Sequence, residues 1–260
     1  MERMKTLGKI WLVIVFVPLF INLLLAISFK FQVLNYTFWH KALTDQAYQK
    51  LAVVFQEEIK KGEMATLSVI VTPENLQDLV DRNLQNLINF MNARNERLLV
   101  YLPVSKLPRG ILPKNFTLQT EEMGLEELLN ILPGAQATPL GYQYLRHTGL
   151  TATATLVISF GLLGLSFFGL YRLTEGGHKL TLPGITLIVS AVITGLIVAA
   201  KDLVMQGREP AQILLGTLAP PLLTQIARLW GAIAVATGIL GIGLLFVTKP
   251  VMASKNGRTR

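Results

Sequence analysis

The chain has 260 residues and contains no cysteine. A disulfide, an iron–sulfur cluster, a zinc–thiolate site and a thiol nucleophile are therefore excluded within it. A domain outside the membrane would have to hold together through its own hydrophobic core. The absence of cysteine also favours a bacterial source.

Charged residues are scarce as well, because they almost vanish from four long stretches of the sequence. These apolar stretches are residues 10–29, 151–171, 182–200 and 230–247. Each has the length of about 20 residues that a helix needs to cross a bilayer. The sequence therefore predicts four transmembrane helices. The first follows a basic segment and has only a weak cleavage pattern, so we expect an uncleaved signal anchor.

The predicted spans lack ionisable residues at their centres, and Lys201, Asp202 and Arg228 lie only at membrane edges. Proton relays, ion-coupled transporters and intramembrane proteases use charged groups inside the membrane, so these classes are disfavoured. The sequence also has no Gly-rich phosphate loop, no zinc-protease helix motif and no nucleophile-elbow motif. We therefore expect a protein that is not an enzyme and that binds no cofactor.

The formal net charge is +8, but its distribution argues against nucleic acid as a partner. Acidic and basic residues balance across residues 30–148, whereas the basic excess lies on residues 1–9, 172–181 and 248–260. An excess of Lys and Arg on short segments beside spans marks the cytoplasmic side. We therefore expect both termini in the cytoplasm, residues 30–148 outside the cell membrane, and a basic tail that touches anionic lipid.

Residues 30–148, between the first and second spans, are predicted to form an α-rich extracytoplasmic domain with minor β structure. Apolar residues at helical spacing predict a helix over residues 44–61 that ends at Gly62. Residues 67–71 and 98–104 are expected to be extended. A third helix is expected over residues 120–132. The fold class is thus a mainly α membrane protein.

The clearest helix signal in this domain begins at Thr72. Thr72 suits an N-cap and Pro73 suits the first helical position. Apolar residues then recur at helical spacing as far as Met91. We expect this helix to pack its apolar stripe on the helix that precedes it.

Residues 201–229 differ from the four spans, because they mix charges and prolines with apolar residues. We predict an amphipathic helix that lies on the outer membrane surface and breaks at Pro220 and Pro221. A re-entrant pore loop is the alternative, and it would need protein or water around its non-helical backbone.

Two histidines are candidate metal ligands. His40 follows the first span and His147 precedes the second, so they could meet at the outer face of the membrane. Zinc normally takes three or four ligands, so a site would need carboxylates as well. Two independent interfacial histidines are the preferred interpretation, and we expect no metal.

Glycines in two of the spans allow close approach of helices. They are Gly161, Gly164 and Gly169 in the second span, and Gly238, Gly241 and Gly243 in the fourth. Packing inside the four-helix bundle is the preferred interpretation. The alternative is that one of these faces forms a homo-oligomer.

The helix opened by Thr72, Pro73 and Glu74, its course through Met91 and the extended segment 98–104 resemble a known arrangement. Uncharacterised bacterial multi-pass membrane proteins have an anchor, a helical extracytoplasmic domain and then a small helical bundle. The resemblance covers residues 10–105 and implies no activity. The order of spans is also similar to that of the permease subunit of the bacterial cell-division ABC transporter. The loop at residues 172–181 is, however, too short for a coupling helix.

These observations lead to three functional hypotheses. The first is a non-enzymatic partner-binding, ligand-binding or anchoring protein of the cell envelope, whose bundle serves as an anchor and oligomerisation platform. The alternative is a permease-like or channel-like subunit of a transport complex that uses the segment around Pro220 and Pro221. An enzyme acting on lipid or envelope polymer ranks third, because no residue is identified as its catalytic group.

Overall fold

A computed structural model of the protein describes residues 2–61, 72–103, 121–131, 140–174, 178–206 and 213–247, and these are mostly helical. In chain order the elements are α1 (Glu2–Ser28), α2 (Tyr36–Ala42), α3 (Asp45–Lys61), α4 (Pro73–Met91), β1 (Leu99–Tyr101), β2 (Glu122–Gly124), α5 (Leu125–Ile131), α6 (Leu140–Gln143), α7 (Thr148–Leu173), α8 (Thr181–Gln206) and α9 (Ile213–Val247). A π-helical turn, Phe29–Val33, follows α1, and a 3-10 turn, Tyr144–His147, leads into α7.

Four helical stretches within the described residues are long and apolar enough to cross a membrane. They are Arg3–Val33, Tyr144–Leu173, Thr181–Lys201 and Pro220–Val247. The prediction of four helices that are long and apolar enough to cross a membrane is thereby confirmed, and these helices support a multi-pass membrane protein. The side of the membrane on which each loop lies stays a prediction.

The chain divides into two compact units. The first consists mainly of α1, α8 and most of α7 and α9. Each of these helices contributes to one hydrophobic core, which contains Phe16, Phe20, Leu24, Leu163, Leu187 and Trp230. Two polar contacts join these helices as well. Trp230 Nε1 donates to Ser28 Oγ at 2.7 Å, and Asn22 Nδ2 donates to Ser159 Oγ at 3.1 Å. Such bonds add to helix packing where no water competes.

Helix α8 carries a row of buried hydroxyl groups at Thr186, Ser190 and Thr194. A spacing of four residues places them on one face of the helix. Each hydroxyl donates a hydrogen bond to the carbonyl four residues earlier, at 2.9, 2.9 and 2.8 Å. The donors are therefore used within their own helix.

The second unit contains α2 to α6 and the two strands. Its core lies between α3 and α4, where Leu43, Tyr48, Leu51, Ala52 and Leu76 are buried together. The predicted packing of the α4 stripe on α3 is confirmed. Thr72 Oγ1 accepts a hydrogen bond from Asn75 N at 3.2 Å, and α4 ends at Met91, so the predicted cap and helix end are confirmed too.

The two short strands form an antiparallel pair in which Leu99 lies opposite Gly124 and Tyr101 opposite Glu122. The expected extended segment is confirmed over residues 99–101. The expected helix over residues 120–132 is wrong at its start, because Glu122–Gly124 is a strand and the helix begins at Leu125. Pairing with β1 supplies backbone hydrogen bonds that a first helical turn would leave without partners.

The predicted break at Pro220 and Pro221 is also wrong, because α9 runs through both prolines without interruption. Each proline removes one backbone donor, whereas ending the helix there would leave several donors and acceptors unpaired. Non-helical backbone is therefore not found over residues 213–229. The interfacial position of residues 201–229 stays a prediction, and residues 207–212, Gly62 and residues 67–71 lie outside the described residues.

Candidate functional site

Helix α4 and its C-cap residue Asn92 position seven polar side chains of the second unit. The apolar stripe of the helix packs on α3, and polar side chains occupy its other faces. These groups form two hydrogen-bonded clusters and one wall of a cleft. They are Asp78, Asp81, Arg82, Asn83, Gln85, Asn89 and Asn92.

The first cluster surrounds Asp81 and ties α2 and α3 to α4. The hydroxyl of Tyr48 donates to Asp81 Oδ1 at 2.8 Å, and His40 Nδ1 lies 3.6 Å from Asp81 Oδ2. His40 also stacks on Tyr36, with their ring centroids 5.7 Å apart. Burial, and then the hydrogen bond to Asp81, raise the pKa of Tyr48, so this phenol stays protonated.

The second cluster fastens β1 to α4. The hydroxyl of Tyr101 donates to Asp78 Oδ2 at 2.9 Å, and Arg82 Nε donates to Asp78 Oδ1 at 2.9 Å. The Arg82 guanidinium lies 4.3 Å from the centre of the Tyr101 ring. Burial, and then the bond to Asp78, raise the pKa of Tyr101 to about 12.

The amide of Asn83 completes this junction, because it pairs with the backbone of Tyr101 in both directions. Its Nδ2 donates to Tyr101 O at 2.9 Å, and its Oδ1 accepts from Tyr101 N at 2.8 Å. In both clusters the carboxylate accepts a hydrogen bond from a tyrosine that stays neutral. The two clusters therefore have a structural role. The first joins α2 and α3 to α4, and the second joins β1 to α4.

Three chain segments meet at the C-terminal end of α4. Asn92 Nδ2 donates to Leu34 O at 3.3 Å, and Lys30 Nζ donates to Gly149 O at 3.3 Å. A Cβ at Gly149 would lie 2.7 Å from Asn92 Oδ1 and 3.0 Å from Met91 O. A larger residue at position 149 would press on Asn92 Oδ1 and on the backbone oxygen of Met91, so glycine suits this close approach.

A cleft of about 430 Å³ opens beside this junction, and we call it the α4 cleft. Its polar lining is contributed by Lys30, Asn35, Gln85, Asn89, Asn92 and Arg94. Two of these side chains are cations and four are amides. Tyr36 and Thr37 add hydroxyl groups to the lining, and none of the residues that line the cleft carries a carboxylate. The cations and the amides of Gln85 and Asn89 can offer hydrogen-bond donors to an acceptor-rich ligand, whereas both protons of Asn92 Nδ2 already bond to Leu34 O and Ile88 O.

A second cavity of about 320 Å³ is lined by Phe90, Glu96, Arg97, Glu126, Tyr142 and Arg146, together with Gln143 and His147. Tyr142 donates a hydrogen bond to Glu126, and this bond is the main reason that the pKa of Tyr142 is raised. Arg146 Nε is buried without a hydrogen-bond partner among the described residues. Acidic and basic groups balance in this cavity, in contrast to the α4 cleft.

The two histidines occupy different surroundings. His40 lies beside Asp81, whereas His147 lines the second cavity. Over the part of the chain that the structure describes, no three His, Asp or Glu side chains form a group that could hold a metal. The two histidines therefore belong to different sites, His40 to the Asp81 cluster and His147 to the second cavity.

The membrane-edge charges lie on α8 and α9. Lys201 is half-buried near the end of α8, and Arg228 is exposed on α9. Asp202 also belongs to α8, but its side chain lies outside the described residues.

The six glycines fall into two groups. A Cβ at Gly169 would meet Leu12 Cδ1 at 2.9 Å, one at Gly238 would meet Ala191 Cβ at 3.5 Å, and one at Gly241 would meet Gly184 O at 2.8 Å. By contrast, a Cβ at Gly161, Gly164 or Gly243 would have nothing within 4 Å. The first group lies at helix contacts inside the unit, and the second faces open space.

Sequence reasoning missed Gly184 and all of the α4 cleft. One available signal was the series of amides on α4 at Gln85, Asn89 and Asn92, which share one face of a helix by their spacing. The cationic residues of the cleft gave no signal of their own, because Lys30 and Arg94 are distant in sequence.

Fold and site together define a multi-pass membrane protein with a compact, mainly helical second unit that contains a polar cleft. No protein-family model, no curated protein and no solved structure matches this chain. The resemblance to bacterial multi-pass membrane proteins with a helical extracytoplasmic domain therefore stays a prediction.

Proposed function

We propose that this chain is a non-enzymatic, membrane-anchored binding protein of the cell envelope. Residues 30–148 form its extracytoplasmic binding domain, and the α4 cleft takes the ligand. The observation that carries the proposal is the cleft itself. Its volume of about 430 Å³ falls within the range of roughly 300–1,000 Å³ that is typical of ligand sites, and convergent polar groups line it.

A binding role fits the chemistry of α4 better than a catalytic role does. Asp78 and Asp81 accept hydrogen bonds from Tyr101 and Tyr48, whose raised pKa keeps both phenols protonated. General acid–base catalysis needs a group that titrates near the working pH and reaches the substrate. These carboxylates instead hold strands and helices in place, which gives the cleft rigid walls.

The four-helix unit anchors this domain and associates with a protein partner or a second copy of the chain. Gly161 and Gly164 on α7 support this part of the proposal, because a Cβ at either position would meet open space. Small residues on an outer helix face allow another helix to approach closely. The bilayer is the remaining partner.

The permease-like or channel-like alternative has less support. It requires a pore segment around Pro220 and Pro221, where α9 is a continuous helix. The buried hydroxyls of α8 bond to their own helix, so they do not offer donors to a solute. We therefore retain the binding function.

The binding function is tested with ligand-induced stabilisation of the full chain in lipid nanodiscs. Thr37 is exposed and lines the cleft, so Thr37→Trp is expected to fill it. Thr44 is exposed as well but does not line the cleft, so Thr44→Trp is the matched control. Fractions of a small-molecule and lipid extract of the envelope serve as ligands.

We expect at least one fraction to raise the Tm of the wild type and of Thr44→Trp, but not that of Thr37→Trp. A flat response of the wild type to every fraction would argue against a binding role. Equal stabilisation of both variants would place the site elsewhere. Protease treatment of intact cells tests the topology, because release of a fragment near residues 30–148 requires that the domain lies outside.

A further inference from the structure

The charges of the α4 cleft define the class of ligand that it can hold. Lys30 and Arg94 are its two cations, and the lining contains no carboxylate to balance them. Tyr36 also lines the cleft, and burial, followed by the neighbouring Asp81 carboxylate, raises its pKa, so it adds no negative charge to the lining. An anion is favoured in such a site, whereas a cation is repelled.

Lys30 is held in position before any ligand arrives. Its Nζ donates to Gly149 O at 3.3 Å, and an ammonium group has three donors, so two remain for a ligand. The bond restrains a side chain that would otherwise lose considerable freedom on binding. Preorganisation of this kind increases affinity.

Arg94 is placed at the cleft by the turn that ends α4. Ala93 adopts a φ of 56°, and the Arg94 amide donates to Asn89 O at 2.9 Å. The exposed guanidinium presents its donors in a planar fork, which matches two oxygens of a phosphate or carboxylate. Amides of Gln85 and Asn89 lie in the same lining and can bond to further oxygens.

The position of Lys30 in the sequence, directly after the apolar run, also favours a phosphate ligand. Helical residues 10–29 are the apolar run, and about 20 residues of helix cover about 30 Å, which is the thickness of the hydrocarbon core. Lys30 follows directly, and Phe31 beside it is exposed. Lysines at the ends of spans commonly reach the headgroup layer, where phosphates lie.

We propose that the α4 cleft binds a phosphate ester of net negative charge, with Lys30 and Arg94 as its phosphate contacts. This inference rests on the proposed function and specifies the ligand class of that site. A phosphate ester can come from the headgroup of an anionic phospholipid or from a soluble phosphorylated molecule. Both present a charged group with several acceptor oxygens, which is what the cleft matches.

The test compares two double variants of the full chain that lose the same charge. Lys30→Gln with Arg94→Gln removes both cations of the cleft. Lys41→Gln with Lys50→Gln removes two exposed lysines of α2 and α3 that do not line it. Because Lys30 also bonds to Gly149, the single variant Arg94→Gln and the charge-preserving Arg94→Lys are measured as well.

Binding is measured by native mass spectrometry with phosphatidylglycerol and with phosphatidylcholine, and by the thermal shift with glycerol 3-phosphate. We expect the cleft variant to bind the anionic probe at least about tenfold more weakly than the control variant does, since it loses two charge-assisted contacts. Arg94→Gln should lose part of the affinity, and Arg94→Lys should retain more of it.

The probes distinguish the two sources of the phosphate. Preferential binding of phosphatidylglycerol that depends on the cleft supports a lipid headgroup, and stabilisation by glycerol 3-phosphate that depends on the cleft supports a soluble ligand. Equal binding of either probe by the cleft and control variants overturns the inference. If a neutral ligand still stabilises the wild type but not Thr37→Trp, the binding function stands while the phosphate assignment falls.

Discussion

A single methyl group at Gly241 is expected to disrupt the contact between α8 and α9. A Cβ at this position would lie 2.8 Å from Gly184 O and 2.9 Å from Ile188 Cγ1. The Gly184 oxygen belongs to the backbone and cannot rotate away, so one helix would have to shift. Overpacking of this kind costs about 1–3 kcal/mol.

The matched control is Gly243→Ala, two positions further along the same helix. A Cβ at Gly243 would have nothing within 4 Å. Both substitutions replace glycine by alanine inside one helix, so the intrinsic gain of about 1 kcal/mol is the same and cancels. The difference in unfolding free energy between Gly241→Ala and Gly243→Ala should therefore be about 1–3 kcal/mol.

The assay is thermal unfolding of the full chain in a mild detergent, followed by circular dichroism. At about 2–4 °C per kcal/mol, the expected difference in Tm is about 2–12 °C. Gly184→Ala should resemble Gly241→Ala, because its Cβ would lie 2.9 Å from Gly241 O. Equal Tm values for the Gly241 and Gly243 variants would refute the close approach of these helices.

Three further substitutions test other contacts. Thr72→Ala removes the N-cap of α4 and should lower the unfolding free energy by about 1 kcal/mol, whereas Thr72→Ser should not. Tyr101 has a pKa raised from 10 to about 12, so the unfolded chain ionises first and stability should fall as pH rises from 10 to 12. Alkaline unfolding monitored by tyrosinate absorbance should show this loss. Tyr101→Phe should show a smaller loss, because Tyr48, whose pKa is also raised, still contributes. Ser28→Ala leaves the buried indole N–H of Trp230 without its acceptor and should cost about 0.6–1.7 kcal/mol in thermal unfolding.

Each of these substitutions has an outcome that contradicts its reasoning. An unchanged unfolding free energy in Thr72→Ala would mean that the cap contributes nothing to α4. An identical alkaline profile in Tyr101→Phe would assign the loss of stability to another group. Wild-type stability in Ser28→Ala would mean that the indole finds another acceptor.

The transmembrane helices and the limits of α4 were predictable because their causes are local in sequence. A bilayer requires a continuous apolar stretch of sufficient length, and residues 10–29 satisfy that requirement alone. The N-cap at Thr72 depends on residues within one helical turn. The apolar stripe of α4 needs only the helical period, and it predicted the packing on α3.

Two local predictions were wrong because tertiary context outweighed the local signal. Pro220 and Pro221 are strong helix breakers in isolation, yet α9 continues through them. Residues 122–124 fall within the predicted helix 120–132, yet they pair with β1 as a strand. In both cases the alternative would leave more backbone groups without hydrogen-bond partners.

The sequence by itself determined that the chain has four apolar spans and where its amphipathic helices lie. Both depend on neighbouring residues, because a span needs a continuous apolar stretch and an amphipathic helix needs only the helical period. Only the tertiary structure decided which glycines lie at helix contacts, because the pairing of Gly241 with Gly184 depends on how two helices align. It also decided the α4 cleft. Lys30 and Arg94 come from distant segments, and folding is what brings their charges to one cavity.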